Sequence, residues 1–409
     1  MKKLTLLLIS ALAVFTATAQ DNSIEKRLDA LEKDMIKMNR LKVSGYIQAQ
    51  YQWGEENASL KVGSSNENTE KSFNRFGVRR GRVKFTFEDG IASAVFQLDF
   101  TDKNGVGFKD AYLNIKDLWV KSMALRAGIF DRPFGYEISY SSSRRESPER
   151  STVFQTLFPD ERDLGAMLIL QAPKSSPWSM LKLEAGLFAG NGIKPETDNK
   201  RDFIGHLSAE KGWGTFSFGA GVSYYNGKVY QGSENVYTMS GNSFVLNENA
   251  SNKGKFAKRE YVGLDGRIGI RSSIGLTQLR AEYLFGEQPG VKDASKSPND
   301  SSRPSGDTYI RDFQGGYVMF VQGLGTSPFE LVAKYDWYDP NKDVSKEEAA
   351  TKGDIAVNTF GIGGIWNMNS ALRLQAYYEF NSNEKSSKVS GFEKNRKDDV
   401  FTLRLQYKF

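Results

Sequence analysis

One short stretch of the chain, FNRFGVRRGRVKF (residues 73–85), is rich in basic side chains. In an extended strand, side chains two positions apart share a face, so Arg80, Arg82 and Lys84 are predicted to lie together, opposite an apolar face. Arginine stays charged at any relevant pH, and its planar fork of donors matches phosphate and carboxylate oxygens. A row of such groups is suited to attracting anions.

A second arginine-rich stretch is the segment 130–163, which also contains many aromatic residues. It is too aromatic for a simple solvated loop, so we expect it to fold inward and narrow a channel. Several of its glutamates, Glu137, Glu146 and Glu149 among them, stand close in sequence to its arginines. The candidate anion-binding residues of the chain are Arg79, Arg80, Arg82, Lys84, Arg126, Arg132, Arg144, Arg145 and Arg150.

An alternative is that these arginines are neutralised by acidic residues on the inward faces of other strands. Charged walls of opposite sign are typical of weakly selective channels. The candidate partners are Asp99, Asp110, Glu184, Asp265, Glu282 and Glu379.

The residue types that enzymes and metal sites need are scarce. The chain has no cysteine and one histidine, His206, which we interpret as an ordinary polar-face residue. No motif pairs two carboxylates for acid–base chemistry, so we predict no catalytic residue, no metal and no cofactor. The formal net charge of +6 is too small to indicate nucleic-acid binding.

The elements that position the basic residues show a two-residue hydrophobic period from Leu41 to the end of the chain. About sixteen strands separated by short turns and long polar loops indicate an all-β fold, a transmembrane antiparallel β-barrel over residues 43–409. The alternating segments are 43–51, 81–88, 92–100, 110–116, 122–130, 181–188, 215–225, 279–285, 329–338, 372–380 and 401–409, with weaker ones near 164–170, 202–210, 260–269, 311–321 and 354–366.

Aromatic residues near strand ends favour a membrane barrel over a soluble sandwich, because such barrels carry aromatic girdles at both interfaces. Examples are the pairs Tyr224–Tyr225, Trp337–Tyr338 and Tyr377–Tyr378.

The last segment, FTLRLQYKF, is apolar at every second position and ends on Phe409. We expect it to close the barrel against the strand near Val43, with Arg404 and Lys408 facing the lumen. Tyr407 and Phe409 are predicted to form the signal that the barrel assembly machinery recognises.

Two segments precede the barrel. Residues 1–19 have the basic start, apolar stretch and small-residue cleavage site of a signal peptide. Residues 20–42 contain a short heptad pattern of apolar residues, which predicts a periplasmic coiled-coil helix. That helix either caps its own barrel or forms a small trimeric coil.

The motifs FKDAYLNI (108–115), LRAGIFDRPFGYE (125–137), SSS (141–143) and ERS (149–151) resemble those of the phosphate-selective porins O and P. The resemblance implies a sixteen-stranded trimeric barrel, a third loop folded into the pore, an arginine ladder and a lysine ring. Residues 130–163 contain no lysine, so a lysine ring built from that loop is missing.

We therefore expect an outer-membrane porin of a Gram-negative bacterium, in contact with outer-membrane lipid. It would pass small hydrophilic solutes with a preference for small anions, phosphate among them. The alternative is a weakly selective general porin with a mainly structural envelope role through its N-terminal coil.

Overall fold

The computed structural model describes residues 26–29, 40–63, 71–101, 106–119 and 121–409. The predicted signal peptide lies outside these ranges. Of the predicted coil, only residues 26–29 and 40–42 are described, and residues 26–29 are helical. The first strand begins at Leu41, two residues earlier than predicted.

The described chain is almost entirely β-structure. Its strands are β1 (Leu41–Glu55), β2 (Ser72–Asp89), β3 (Ala92–Asp99), β4 (Gly107–Lys116), β5 (Met123–Asp131), β6 (Arg162–Gln171), β7 (Leu181–Phe188), β8 (Asp202–Trp213), β9 (Phe216–Tyr230), β10 (Asn235–Ser240), β11 (Ser243–Glu248), β12 (Phe256–Ser272), β13 (Gly275–Gly290), β14 (Thr308–Gly323), β15 (Phe329–Asp339), β16 (Val357–Asn367), β17 (Leu372–Asn383) and β18 (Val400–Lys408). One short helix, α1 (Thr152–Leu157), lies between β5 and β6. Among the described residues, no helix is long and apolar enough to cross a membrane.

Sixteen of these strands form a closed antiparallel barrel, which confirms the predicted fold class. Closure occurs between the first and last strands, where Tyr46 stands opposite Lys408 and Gly54 opposite Val400. Each of the sixteen predicted segments corresponds to one barrel strand. A closed barrel leaves no unpaired sheet edge, which is the condition for crossing a bilayer with strands.

The other two strands, β10 and β11, form a hairpin within a segment that was predicted to be a polar loop. The hairpin turns at Gly241 and Asn242, where Gly241 has a positive φ of 61°. A two-residue turn containing glycine between β-branched and aromatic residues is a hairpin signal that we overlooked. Because β9 pairs directly with β12, the hairpin is not one of the strands that form the barrel wall.

The outer face of the barrel is apolar, as a lipid-facing surface requires. Leu403, Leu405 and Tyr407 of β18 are exposed outward, whereas Thr402 and Arg404 are buried inside. Only one residue of each predicted aromatic pair can belong to an outer girdle, because neighbouring residues of a strand face opposite sides. Tyr224 is exposed, but its neighbour Tyr225 is fully buried in the interior.

The two ends of the barrel differ in their connections. At one end, turns as short as Gly90–Ile91 and Gly214–Thr215 join the strands, and β1 begins and β18 ends there. We call this the short-turn end. At the opposite, long-loop end lie the connections 132–161, 231–255, 291–307, 340–356 and 384–399.

Deleting Phe409 is expected to reduce the yield of inserted barrels strongly while leaving the conductance of those that insert unchanged. The Phe409 backbone exchanges two hydrogen bonds of 3.0 Å with Gly45, which extend the seam between β18 and β1. Heat-modifiable gel mobility would measure the folded fraction, with Phe409→Tyr as the aromatic control. Equal yields from the deletion variant and the control would contradict this role.

Candidate functional site

The connection between β5 and β6, which we call the inner loop (residues 132–161), lies inside the barrel. Its apolar residues Phe134, Val153, Phe154 and Phe158 are each at most 1% exposed. They pack with inward-facing residues of the wall in one hydrophobic cluster. The loop therefore fills part of the lumen.

Acidic residues of the wall formed by β13 to β15 hold the backbone of the inner loop. The carboxylate of Glu282 accepts hydrogen bonds from the backbone N–H groups of Tyr136 and Glu137, at 2.7 and 2.6 Å. Asp336 accepts another from the N–H of Thr152, where α1 begins. These acids therefore hold the loop and do not neutralise the predicted anion-binding arginines.

Gly135 makes the contact with Glu282 possible. Its φ is +62°, and a Cβ added to it would lie 2.2 Å from the Glu282 carboxylate oxygen. A side chain at this position would clash with the carboxylate and would occupy a left-handed conformation that non-glycine residues avoid.

Gly135→Ala is therefore expected to loosen the docked loop and to increase single-channel conductance and its fluctuations. Planar-bilayer recordings would measure both. Gly391→Ala is a suitable control, because Gly391 also has a positive φ but nothing lies within 4 Å of an added Cβ. The same conductance and noise in both variants would contradict the assigned role of Gly135.

Ion pairs reinforce this docking. Arg280 of β13 forms two hydrogen bonds of 2.8 Å with Glu146, and Lys334 of β15 contacts Glu137 at 3.1 Å. All four side chains are buried. Removing one partner of such a pair leaves an uncompensated buried charge, which lowers the free energy of unfolding by about 3–5 kcal/mol.

On the opposite side, the carboxylate of Glu149 joins the inner loop to β2 and β18. It accepts from Arg79 at 2.8 and 3.0 Å, from Arg80 at 2.7 Å and from Arg404 at 3.0 Å. Burial would raise the pKa of Glu149, but the three arginines outweigh that effect and hold the pKa well below its usual value. One carboxylate faces three guanidinium groups, so the cluster keeps an excess of positive charge.

A β-bulge explains how two consecutive arginines reach the same carboxylate. Gln48 pairs with Arg80 and Ala49 pairs with Val78, which leaves Arg79 as the extra residue. By simple alternation Arg79 would face away from Arg80, but a bulge re-aims the side chain of the added residue.

Between the inner loop and the wall of β1 to β6 and β18 lies a cavity of about 320 Å³, which we call the inner cavity. It lies toward the short-turn end. Six basic side chains line it, against two acidic ones, Asp110 and Asp131. The basic residues are Arg82, Lys84, Arg144, Arg150, Arg162 and Lys408.

Three of these basic residues have carboxylate partners. Arg82 contacts Asp99 at 2.8 Å, Arg162 contacts Asp110 at 2.8 Å, and Arg150 pairs with Glu161. Within the described ranges, Lys84, Arg144 and Lys408 form no ion pair. The net charge of the inner cavity is therefore positive.

A second cavity, of about 190 Å³, lies toward the long-loop end, and we call it the mouth cavity. Arg79, Arg80, Arg150 and Lys296 line it together with Glu149, Asp160 and Glu161. Arg150 lines both cavities and so lies at the boundary between them.

Not all predicted residues reach these cavities. Arg126 stacks on Tyr112, with its guanidinium carbon 4.6 Å from the ring centre. Arg132 is buried against Asp163 at 3.1 Å. Arg145 is only 2% exposed, and its three guanidinium nitrogens have no hydrogen-bond partner among the described residues. Burial, with Arg150 and Arg80 nearby, lowers the pKa of Arg145 to about 9.

The anion-binding residues predicted from the sequence do not include Arg162, Lys296, Arg404 or Lys408. Strand alternation could have added Arg404 and Lys408, since both were expected to face the lumen. Lys296 lies in a long loop, where no periodic signal exists.

The acids proposed as neutralising partners have mixed roles. Asp99 and Asp110 pair with arginines, whereas Asp265 lies 2.9 Å from His206 and Glu184 pairs with Lys182. In the described part of the chain, no group of three or more His, Cys, Asp or Glu side chains is placed to hold a metal ion.

A closed transmembrane barrel whose lumen is partly filled by one long loop has the architecture of the porin fold. Solved porin structures resemble the chain along most of its length. OmpF of Salmonella typhi, solved with daunomycin, has a TM-score of 0.58 at 12% identity and covers 90% of this chain and 97% of its own.

An anion-selective porin from Comamonas acidovorans has a TM-score of 0.53 at 12% identity, covering 90% of this chain and 99% of its own. OmpT of Vibrio cholerae, in its trimer form, has a TM-score of 0.51 at 10% identity, with coverage of 90% and 99%. At such identities the likeness shows the fold alone. No family model matches the sequence, and no curated protein matches it significantly.

Proposed function

We propose that the protein is an outer-membrane porin through which small hydrophilic solutes diffuse passively, with a preference for anions. The observation that carries this proposal is the charge of the inner cavity, where six basic side chains face two acidic ones. Rings and rows of Arg and Lys attract anions into a pore while allowing their release. The porin fold and the apolar outer face support placement in the outer membrane of a Gram-negative bacterium, in contact with its lipid.

Phosphate is the candidate solute within this class. The resemblance of the motifs between residues 108 and 151 to those of the phosphate-selective porins O and P supports it, as does the fit of arginine forks to phosphate oxygens. Recording chloride current while inorganic phosphate is added tests this point. Block at low phosphate concentration is the expected result, and an unaffected chloride current would limit the proposal to general anion preference.

A homotrimer is the proposed assembly. The heptad pattern within residues 20–42 and the trimer form of the OmpT neighbour support it. Tyr407 of the last strand and Phe409, which follows that strand, are both exposed and remain the proposed recognition signal for the barrel assembly machinery.

The second candidate is a general porin with a structural role through its N-terminal segment, favoured by the same heptad pattern. Deleting residues 21–40 separates the two. On the structural hypothesis the deletion disturbs trimer formation or envelope integrity and leaves single-channel conductance unchanged. A deletion strain with intact trimers and a normal envelope would contradict it.

A further inference from the structure

We infer that Lys296 determines which ions enter the pore from the long-loop end. This inference rests on the proposed function, since it assigns one residue to the selection of anions by the same passage. Lys296 belongs to the connection between β13 and β14, which we call the mouth loop (residues 291–307). Its side chain lines the mouth cavity beside Arg79, Arg80 and Arg150.

The mouth loop is held in place on both sides of Lys296. On one side, the Ser295 hydroxyl lies 2.9 Å from the hydroxyl of Tyr338. On the other, the Ser297 N–H donates to the Thr156 carbonyl at 3.0 Å, and Arg259 donates to the Ser297 hydroxyl at 2.7 Å. Ser295 and Ser297 are buried, whereas Lys296 between them is exposed. The contacts therefore fix the point from which the lysine side chain extends.

A further contact joins the mouth loop to the inner loop. The amide of Asn299 donates to the Asp160 carboxylate at 3.1 Å. Asp160 and Thr156 both belong to the inner loop, so the two loops together shape the mouth cavity. An ion entering from the long-loop end would meet this cavity before it reaches the inner cavity.

The other cations of the mouth cavity are already engaged by carboxylates. Arg79 and Arg80 share Glu149, and Arg150 pairs with Glu161. Lys296 forms no ion pair with any residue in the described ranges. Lys296 therefore adds a positive charge to the cavity that no carboxylate of the described chain offsets by direct contact.

The test uses Lys296→Cys, which introduces the only thiol of a chain that has no cysteine. After insertion into a planar bilayer, the thiol is modified with either aminoethyl or sulfonatoethyl methanethiosulfonate. The first restores a positive charge and the second places a negative one at the same site. Because modification follows folding, any difference between the two products reflects charge alone.

The readout is the chloride-to-potassium permeability ratio, from the reversal potential in a KCl gradient. We expect the ratio to be about three- to tenfold lower for the sulfonate product than for the amine product. This difference should appear when the chamber that faces the long-loop end holds about 0.1 M KCl, where the Debye length is about 10 Å. It should shrink when that chamber holds about 1 M KCl, where the length is about 3 Å.

Lys292→Cys is the matched control. Lys292 is an exposed lysine of the same loop that does not line the mouth cavity. The amine and sulfonate products of Lys292→Cys should have equal chloride-to-potassium permeability ratios. In a separate recording, a bulky maleimide polymer is added to one chamber, and its reaction with this thiol shows which way the barrel is inserted. Equal ratios for the two Lys296→Cys products, in an otherwise anion-selective channel, would overturn this inference alone. A cation-selective unmodified protein would overturn the proposed function instead.

Discussion

Reversing three charges of the inner cavity is expected to convert an anion-preferring channel into a cation-preferring one. The change is Lys84→Glu with Arg144→Glu and Lys408→Glu. These side chains line the cavity and form no ion pair within the described part of the chain. The cavity would then carry three basic and five acidic side chains, and its field would attract potassium.

The reversal potential in a KCl gradient measures this result, and we expect the chloride-to-potassium permeability ratio to fall on the order of tenfold or more. The control replaces Lys121, Lys174 and Lys211 by glutamate. These lysines lie near the short-turn end, are exposed and line neither cavity, so the same change in total charge should have little effect. A triple cavity variant that keeps the wild-type ratio would exclude the inner cavity as the selective passage.

Replacing Glu149 by glutamine is expected to release one side of the inner loop. The carboxylate contacts the buried Arg80 and Arg404 and the half-buried Arg79, and removing its charge leaves three positive charges that repel one another. Loss of one partner from a buried ion pair costs about 3–5 kcal/mol. We expect larger and more variable single-channel conductance, and a greater anion preference because one negative charge is lost.

Glu347→Gln is the control, since Glu347 is an exposed carboxylate of the connection between β15 and β16. Wild-type conductance and noise in the Glu149→Gln variant would show that the carboxylate does not hold the loop.

Lowering the pH from 7 to 5 should not loosen the inner loop, although the Glu149→Gln substitution should. A carboxylate with a lowered pKa in the folded protein contributes stability that is present above its usual pKa and lost only as pH falls through the folded value. Because the pKa of Glu149 lies well below the usual value, its ion pairs should persist between pH 7 and pH 5. Conductance noise that rises over this interval would contradict the assignment.

The strand pattern was readable from the sequence because one face of every barrel strand must be apolar and the other polar. This constraint located all sixteen barrel strands, including the closing pairing of β18 with β1. It also predicted the inward face of Arg80, Arg82 and Lys84. The direction of the Arg79 side chain could not be predicted from simple alternation, because the bulge beside Ala49 depends on how β1 and β2 align.

The partners of the inner loop could not be predicted in the same way. Glu146 contacts Arg280, and Glu137 contacts Lys334, across large separations in sequence. Such pairs depend on the positions that residues of remote strands take along the barrel axis, which local sequence patterns do not specify. The sequence therefore identified acids near the arginines without indicating which of them hold the loop and which remain in the passage.

Anion passage through the inner cavity is tested most directly by the zero-current potential of the unmodified protein. The measurement uses a planar bilayer separating dilute from concentrated KCl. We expect the sign that corresponds to faster movement of chloride than of potassium, with an ohmic current–voltage relation near zero voltage. A potential of the opposite sign, or none at all, would contradict this expectation.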